Sequence, residues 1–401
     1  MYGQQKRKGQ KAPAKEREVS YEEGLRYFVK NDGKKYFKTS GFGKSGHCYY
    51  TYVGKKKEVE IIGFEETVRE IRIPDKIKGK KVKRIDIWGP EMLDFYTDVV
   101  NQPKIRHSRT MCVVLSKYIN TKNGVYLQDQ GALSNLERIK VSPQNKTLMA
   151  KDGVLFSKDG KTLWEYPDKR KTSSYKIPKG VVKLGAFAFE HALVEKVVMP
   201  DTVKSIGDWC FAVVHSSSPL KSVRLSKNLK RIGEHAFNGV HLKKISLPEG
   251  LEVIQMGAFS ETDIKKLSLP GNLKSIGRGA FSGTDIREVV IPGNVKRIPA
   301  GCFSSCKKLK KVTIKKGVKE IGESAFTYCY QLRKLVIPSS VKSIADPFAI
   351  DHHYEGDEPE RNREAWHKAG VTIYAKKESH AYRKFSKKYW MEKLGIKVKA
   401  M

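Results

Sequence analysis

The run Leu242-Lys-Lys-Ile-Ser-Leu-Pro-Glu-Gly-Leu-Glu-Val-Ile-Gln-Met-Gly-Ala-Phe259 is matched, after four residues, by Ile264-Lys-Lys-Leu-Ser-Leu-Pro-Gly-Asn-Leu-Lys-Ser-Ile-Gly-Arg-Gly-Ala-Phe281. Runs of the same pattern start at Val194, Leu220, Ile286, Leu309 and Leu332. Each of the first four ends on a phenylalanine, so an aromatic anchor recurs at Phe189, Phe211, Phe237, Phe259, Phe281, Phe303 and Phe326, at steps of 22, 26, 22, 22, 22 and 23 residues. The long step contains Ser216, Ser217, Ser218 and Pro219, a polar insertion that reads as a longer loop. Phe348 continues the series in weaker form, after Asp346 and Pro347. Self-similarity at a fixed short period identifies a stacked repeat architecture.

Within one unit, Ile245 and Leu247 alternate with polar residues, which is strand periodicity. Pro248 closes the strand because it has no N–H to donate. A turn follows, often with Gly or Asn as at Gly271-Asn272, and Leu251 and Ile254 bring the chain back to the interior. Gly257-Ala258-Phe259 makes the last bend and fills the centre. One coil cannot close a core alone; stacked coils can, because each anchor packs on its counterpart in the next coil. Successive strands would then lie about 4.8 Å apart in a common parallel sheet, one rung per coil.

These units resemble the BspA-like leucine-rich repeats, whose pattern L-x-x-[IV]-x-[IL]-P-x-x-[LV]-x-x-I-x-x-x-A-F is met strongly over residues 177–350. Lys151-Asp-Gly-Val-Leu-Phe156, Asp159-Gly160 and Thr162-Leu-Trp-Glu-Tyr-Pro167 resemble a hairpin insert common in that family, with Val154, Phe156, Leu163 and Tyr166 as strand residues. The resemblance implies a β-rich leucine-rich-repeat solenoid with a parallel sheet, short irregular or 3-10 segments and a C-terminal capping helix. It also implies an adhesion-type interaction protein, often bacterial and exported, without enzyme activity.

The remaining organisation follows from the same pattern. Residues 1–19 read as a basic disordered arm carrying Lys6, Arg7, Lys8, Lys11, Lys15 and Arg17. Residues 20–70 alternate aromatic and polar residues, as in Tyr49-Tyr-Thr-Tyr52, and read as a β-rich N-terminal cap. The repeats occupy 71–375, beginning with Ile71-Arg-Ile-Pro74 and its return pair Val82 and Ile85. Residues 86–133 depart from the pattern and read as an irregular insertion or decayed repeat, and 150–168 as the hairpin insert. Val371-Thr-Ile-Tyr374 is a last strand, Ser379 to Leu394 a capping helix, and Ile396 and Val398 a short added strand, so that 376–401 closes the array.

The 401 residues carry 78 Lys+Arg against 43 Asp+Glu, a formal net charge of +35. Such an excess speaks of partners rather than of fold: an acidic protein, a nucleic acid or an anionic glycopolymer. The structural alternative is a lysine-rich composition that only keeps the surface solvated. Six cysteines, Cys48, Cys112, Cys210, Cys302, Cys306 and Cys329, are too sparse for a disulfide framework and read as buried or half-buried thiols. No apolar run reaches the roughly 18–20 residues of a membrane span. The N-terminus has basic residues without a following apolar stretch, which points to an intracellular protein, against the export that the family resemblance implies.

Strand alternation places Lys196, Ser222, Lys244, Lys266, Glu288, Lys311 and Lys334 on the outer side, with Val198, Arg224, Ser246, Ser268, Val290, Thr313 and Val336 as the next outward residues. A second column follows the turn: Lys204, Lys230, Lys274, Lys296, Lys319 and Lys342, interrupted by Glu252. Like charges at strand spacing repel, and an anionic ligand would relieve the cost. The expected binding residues are therefore Lys196, Arg224, Lys244, Lys266, Lys311 and Lys334 of the first set and the six lysines of the second, facing an acidic protein or a polyanion. The competing expectation is that these lysines only keep an exposed sheet from pairing with other chains.

The catalytic search is largely negative. His352-His353 with Glu355, Asp357 and Glu358 is the one metal-like cluster, and its spacing fits a solvated loop better than a zinc site. There is no phosphate-binding glycine loop, nucleophile elbow or spaced carboxylate dyad. No cofactor and no small-molecule substrate are implied. The aromatic residues mostly hold anchor positions, which leaves no stacking platform for single-stranded nucleic acid.

Overall fold

The computed structural model describes residues 17–19, 36–40, 47–53, 58–64, 69–88, 111–120, 126–129, 135–213, 219–348, 370–387 and 395–401. The chain divides into two compact units, Met1–Lys158 and Asp159–Met401. The basic residues Lys6 to Lys15, the serines of the long step and the His352-His353 cluster lie outside the described residues.

The first unit opens on antiparallel strands, with Arg17–Val19 on Tyr36–Ser40, that strand on His47–Val53 and the latter on Glu58–Phe64. From there the pairing turns parallel, Glu58–Phe64 running beside Lys80–Trp88. The return pair Val82 and Ile85 is buried in that last strand. The stretch 86–133, expected to be irregular, contributes two strands among its described residues. Cys112–Leu115 sits between Glu70–Arg72 and Arg138–Val141 in a parallel ladder, and Tyr126–Asp129 pairs with Lys80–Trp88. Cys-Val-Val-Leu supplies the buried β-branched run of a coil without its Phe anchor, which is why the repeat pattern hides it.

In the second unit the coils make three kinds of rung, the third not in every coil. The best-conserved geometry is a two-residue ladder at the return segment: Lys183–Leu184, Ser205–Ile206, Arg231–Ile232, Val253–Ile254 and Ser275–Ile276 pair in parallel, in register. Arg297–Ile298, Glu320–Ile321 and Ser343–Ile344 form a further ladder of the same kind. The Ala-Phe bend is itself hydrogen-bonded from coil to coil: Phe211 N donates to Ala236 O, Phe237 N to Ala258 O and Phe259 N to Ala280 O. The third rung is the L-x-x-[IV] strand that opens each repeat.

That opening strand is not continuous. Ser174–Lys176, Lys196–Val198 and Ser222–Arg224 pair in one parallel ladder; Glu288–Ile291, Lys311–Ile314, Lys334–Ile337, Thr372–Ala375 and Lys397–Ala400 pair in another. The coils between them, Leu242–Leu247 and Ile264–Leu269, take no strand conformation there. The expectation of one rung from every coil in a common sheet is thus corrected at the two units that display the repeat most clearly. These coils carry Ser246 and Ser268 outward and Leu247 and Leu269 inward, where the coils of the second ladder have Val290-Ile291, Thr313-Ile314 and Val336-Ile337. β-Branched residues favour the pleated conformation, and serine and leucine do so less.

The core is the anchor stack. Tyr166, Phe189, Phe211, Phe237, Phe259, Phe281, Phe303 and Phe326 lie ring on ring, with centroids 4.9–6.0 Å apart from Phe189 onward. One residue per coil, two before the Phe, takes a left-handed backbone: Phe187, Trp209, His235, Gly257, Gly279, Gly301 and Ser324, at φ between 50° and 61°. Glycine enters that position without a Cβ penalty; at Trp209 and His235 the two side-chain rings stack on each other, 4.3 Å apart. No 3-10 helix occurs among the described residues.

At the end of the chain Thr372–Ala375 is followed by the helix His380–Phe385, N-capped by the Ser379 side chain accepting from Tyr382 N. Ala381 and Phe385 are its buried face, and Phe385 packs against Phe348, with ring centroids 6.1 Å apart. This helix ends at Ser386; residues 388–394 of the expected helix lie outside the described residues. Lys384 Nζ donates to Ile344 O at 2.8 Å, which satisfies a carbonyl at the open end of the return ladder.

Candidate binding face

The outward lysines occupy two separate ladders. In the opening ladder Lys196 stands opposite Ser174 and Ser222, and Arg224 opposite Val198. Lys311 and Lys334 are direct neighbours, with Glu288 beside Lys311. Lys244 and Lys266 fall in the two coils that lack strand conformation. All six are exposed apart from Lys311, which is half-buried. Arg224 turns its guanidinium onto Met199 O at 3.0 Å. Lys311 faces Glu288 at 3.6 Å, and Lys334 Nζ sits 4.6 Å above the Tyr374 ring. Three members of this set are thus partly occupied within the protein itself.

The post-turn column is held by backbone bonds that pass from coil to coil. Lys230 N donates to Lys204 O, Glu252 N to Lys230 O, Lys274 N to Glu252 O, Lys319 N to Lys296 O and Lys342 N to Lys319 O, at 2.8–3.0 Å. The side chains of Lys204, Lys230, Lys274, Lys296, Lys319 and Lys342 are all exposed. Glu252 does more than interrupt the series. Its two carboxylate oxygens take Lys230 Nζ at 3.1 Å and Lys274 Nζ at 2.6 Å, and hydrogen bonds from Lys274 and Lys230 hold its carboxyl below the usual range. Lys296 Nζ donates to Gly293 O. Lys204, Lys319 and Lys342 have no ion pair among the described residues.

A third basic column escaped the sequence reading. In the six repeats from Leu220 onward, the residue directly after the opening Leu or Ile is Lys221, Lys243, Lys265, Arg287, Lys310 and Arg333, and all are exposed; the repeat at Val194 has Glu195 there. Strand alternation would turn that position inward, because it is two before the inward residue of the opening strand. In the coils that pair, the strand begins only one residue later, and in all six the side chain is exposed at the corner. Register alone would have found it: the same alignment that lined up the phenylalanines lines up these six. Lys310 N donates to Arg287 O and Arg333 N to Lys310 O, so the residues stack on successive coils.

Beside this, the thiols are interior. Cys112, Cys210, Cys302, Cys306 and Cys329 are buried and free, and burial pushes the thiols of Cys210, Cys302 and Cys329 up. Thr284 and Cys306, in successive coils, approach at 3.2 Å, and Cys306 and Cys329 donate to Phe281 O and Phe303 O. They serve as small interior fillers. No group of His, Cys, Asp and Glu able to hold a metal occurs among the described residues, and no described helix is long and apolar enough to cross a membrane.

Parallel rungs, an anchor stack and coils of about 22 residues define a leucine-rich-repeat solenoid. The family pattern of the BspA type Leucine rich repeat region matches in six copies, over residues 166–284 and 230–349. That region of the chain belongs to the BspA-type leucine-rich repeats. Among solved structures the chain is similar to a leucine-rich repeat protein from Bacteroides ovatus, at 18% identity and TM-score 0.38, covering 88% of this chain and 98% of that one. It is also similar to the pneumococcal vaccine antigen PcpA, at 16% identity and TM-score 0.34, covering 93% and 98%. A third is the leucine-rich repeat protein of T. pallidum, at 18% identity and TM-score 0.33, covering 71% and 86%. No curated protein matches the chain significantly.

Proposed function

We propose that this chain is a non-enzymatic, adhesion-like interaction scaffold that presents a basic surface to an acidic protein partner. The observation that carries the reading is the repetition of exposed lysines at corresponding positions of successive coils, Lys204, Lys230, Lys274, Lys296, Lys319 and Lys342. The backbone bonds fix the spacing of these coils from Lys204 to Lys274 and again from Lys296 to Lys342, so two stretches of regularly spaced charge exist before any ligand arrives, which lowers the ordering cost of binding. Repeat arrays of this family supply a stiff surface rather than a reactive cleft.

The unpaired members Lys204, Lys319 and Lys342 favour a second reading, a polyanion binder engaging nucleic acid or anionic glycopolymer. Salt separates the two. Retention of a protein partner, measured by pull-down at low and at moderate salt, should decline only in part, since shape complementarity persists when charge is screened. Loss of all retained material on raising the salt would move the conclusion to the polyanion reading. Retention of no acidic protein at either salt would overturn the scaffold reading.

A further inference from the structure

The opening ladder breaks at the place where its positive charge is least compensated. Lys243 and Lys244 stand side by side in one coil and Lys265 and Lys266 in the next, all four exposed. None has an ion pair or side-chain hydrogen bond among the described residues. Arg287 and Lys310 extend the row into the following coils. Elsewhere the ridge is tempered: Lys221 pairs with Glu195 at 3.0 Å and Lys311 with Glu288 at 3.6 Å. The backbone reports the same break. Lys265 N reaches Lys243 O at 3.3 Å, whereas Lys310 N reaches Arg287 O at 2.7 Å and Lys221 N reaches Glu195 O at 2.8 Å. Rungs about 4.8 Å apart lie well inside the screening length of about 8 Å at physiological salt, so the four ammonium groups repel across the gap.

We infer that this interruption is the seat of the acidic partner: an extended Asp/Glu-rich segment lies along the ridge Lys243, Lys244, Lys265, Lys266, Arg287 and Lys310, and its binding closes the ladder between the coils at Leu242 and Ile264. The inference rests on the reading of the chain as a scaffold for an acidic protein and locates the contact within it. Four coils span about 14 Å at the parallel-rung spacing, which about five residues of extended chain cover. The segments 243–247, 264–268, 286–290 and 309–313 contain no aromatic residue, so the ridge offers neither bases nor sugar rings a stacking surface. What it offers is charge, in a line, at a spacing a carboxylate-bearing chain can match. Neutralised, the lysines no longer oppose the close approach of the two backbones.

The test uses the full chain and a fluorescein-labelled poly-glutamate peptide of about eight residues, long enough to cover the ridge. Two variants carry equal charge loss: Lys243→Gln, Lys244→Gln, Lys265→Gln and Lys266→Gln together, and Lys161→Gln, Lys176→Gln, Lys179→Gln and Lys183→Gln together, four exposed lysines outside both binding sets. Anisotropy titration at physiological salt should show affinity falling about tenfold or more in the first and about threefold or less in the second. Equal losses would overturn the location while leaving the scaffold reading, which the pull-down tests separately. Amide exchange over residues 265–269 should slow when the peptide binds, and also slow in the ridge variant without peptide. Exchange unchanged in both would overturn the coupling to the ladder. A sulfated glycan of matched charge that binds the ridge more tightly than the peptide would overturn the choice of occupant.

Discussion

The rings of Phe237 and Phe259 lie parallel, 2° apart in plane and 5.2 Å between centroids, and neither is exposed. Each ring is therefore both the floor of one coil and the ceiling of the next. Cutting Phe259 to alanine removes contacts on two sides, since Phe281 lies 5.5 Å beyond. A Phe259→Ala change should cost about 3–5 kcal/mol in urea unfolding, with Phe259→Leu losing distinctly less. A cost under about 1 kcal/mol would mean that the stack does not carry the core.

Two glycines separate crowding from turn propensity. A Cβ on Gly277 would collide with the backbone of Met256 and Gln255, whereas one on Gly271 meets nothing within 4 Å. Gly277→Ala should lower the thermal midpoint by several degrees, and Gly271→Ala should leave it nearly unchanged. Equal effects of the two would show that the coils can separate freely at that point.

Near the start of the second unit Glu165, Asp168 and Glu190 are all buried. Burial first, then mutual repulsion, holds the Glu165 carboxyl well above its usual range; burial likewise raises Asp168, with Lys169 opposing and Glu190 adding to the shift. A carboxyl whose folded pKa exceeds its unfolded one binds more protons in the native state, so stability falls as pH rises between the two. Thermal midpoints should therefore increase as pH is lowered from neutral toward the ordinary carboxylate range. The Glu165→Gln variant should flatten that slope. A wild-type slope of opposite sign in that window would sink the account.

The Glu252 bridge between Lys230 and Lys274 is exposed and hence open to screening. Glu252→Gln should lower the midpoint slightly at low salt and not at all at high salt. Glu252→Lys should do more at low salt, since it completes the lysine row and adds repulsion to the lost pairs. A deficit that persists at high salt would point to packing rather than charge.

Much of this was legible from residue order alone. The anchor spacing announced the solenoid, and the buried positions Leu251, Ile254, Ala258 and Phe259 follow from one reading of the repeat. The post-turn lysines were placed outward by the same register. The corner column at Lys243 and Lys265 was visible in principle, but strand alternation, applied one residue too early, concealed it. The strand Cys112–Leu115 lacked the anchor that marks the other coils, so its apolar run could not be told from any short buried segment.

The sequence by itself determined the period, the identity of the stacked rings and the sign of the surface, because these depend on spacing and composition that no neighbour can alter. Only the tertiary structure decided that the opening sheet breaks at Leu242 and Ile264, that Glu252 clasps two lysines, and that Phe187, Trp209, His235 and Ser324 accept the left-handed bend that glycine takes elsewhere. Those outcomes turn on energies of about 1 kcal/mol, balanced between one coil and the next. A balance of that size is settled by which coil lies above and which below.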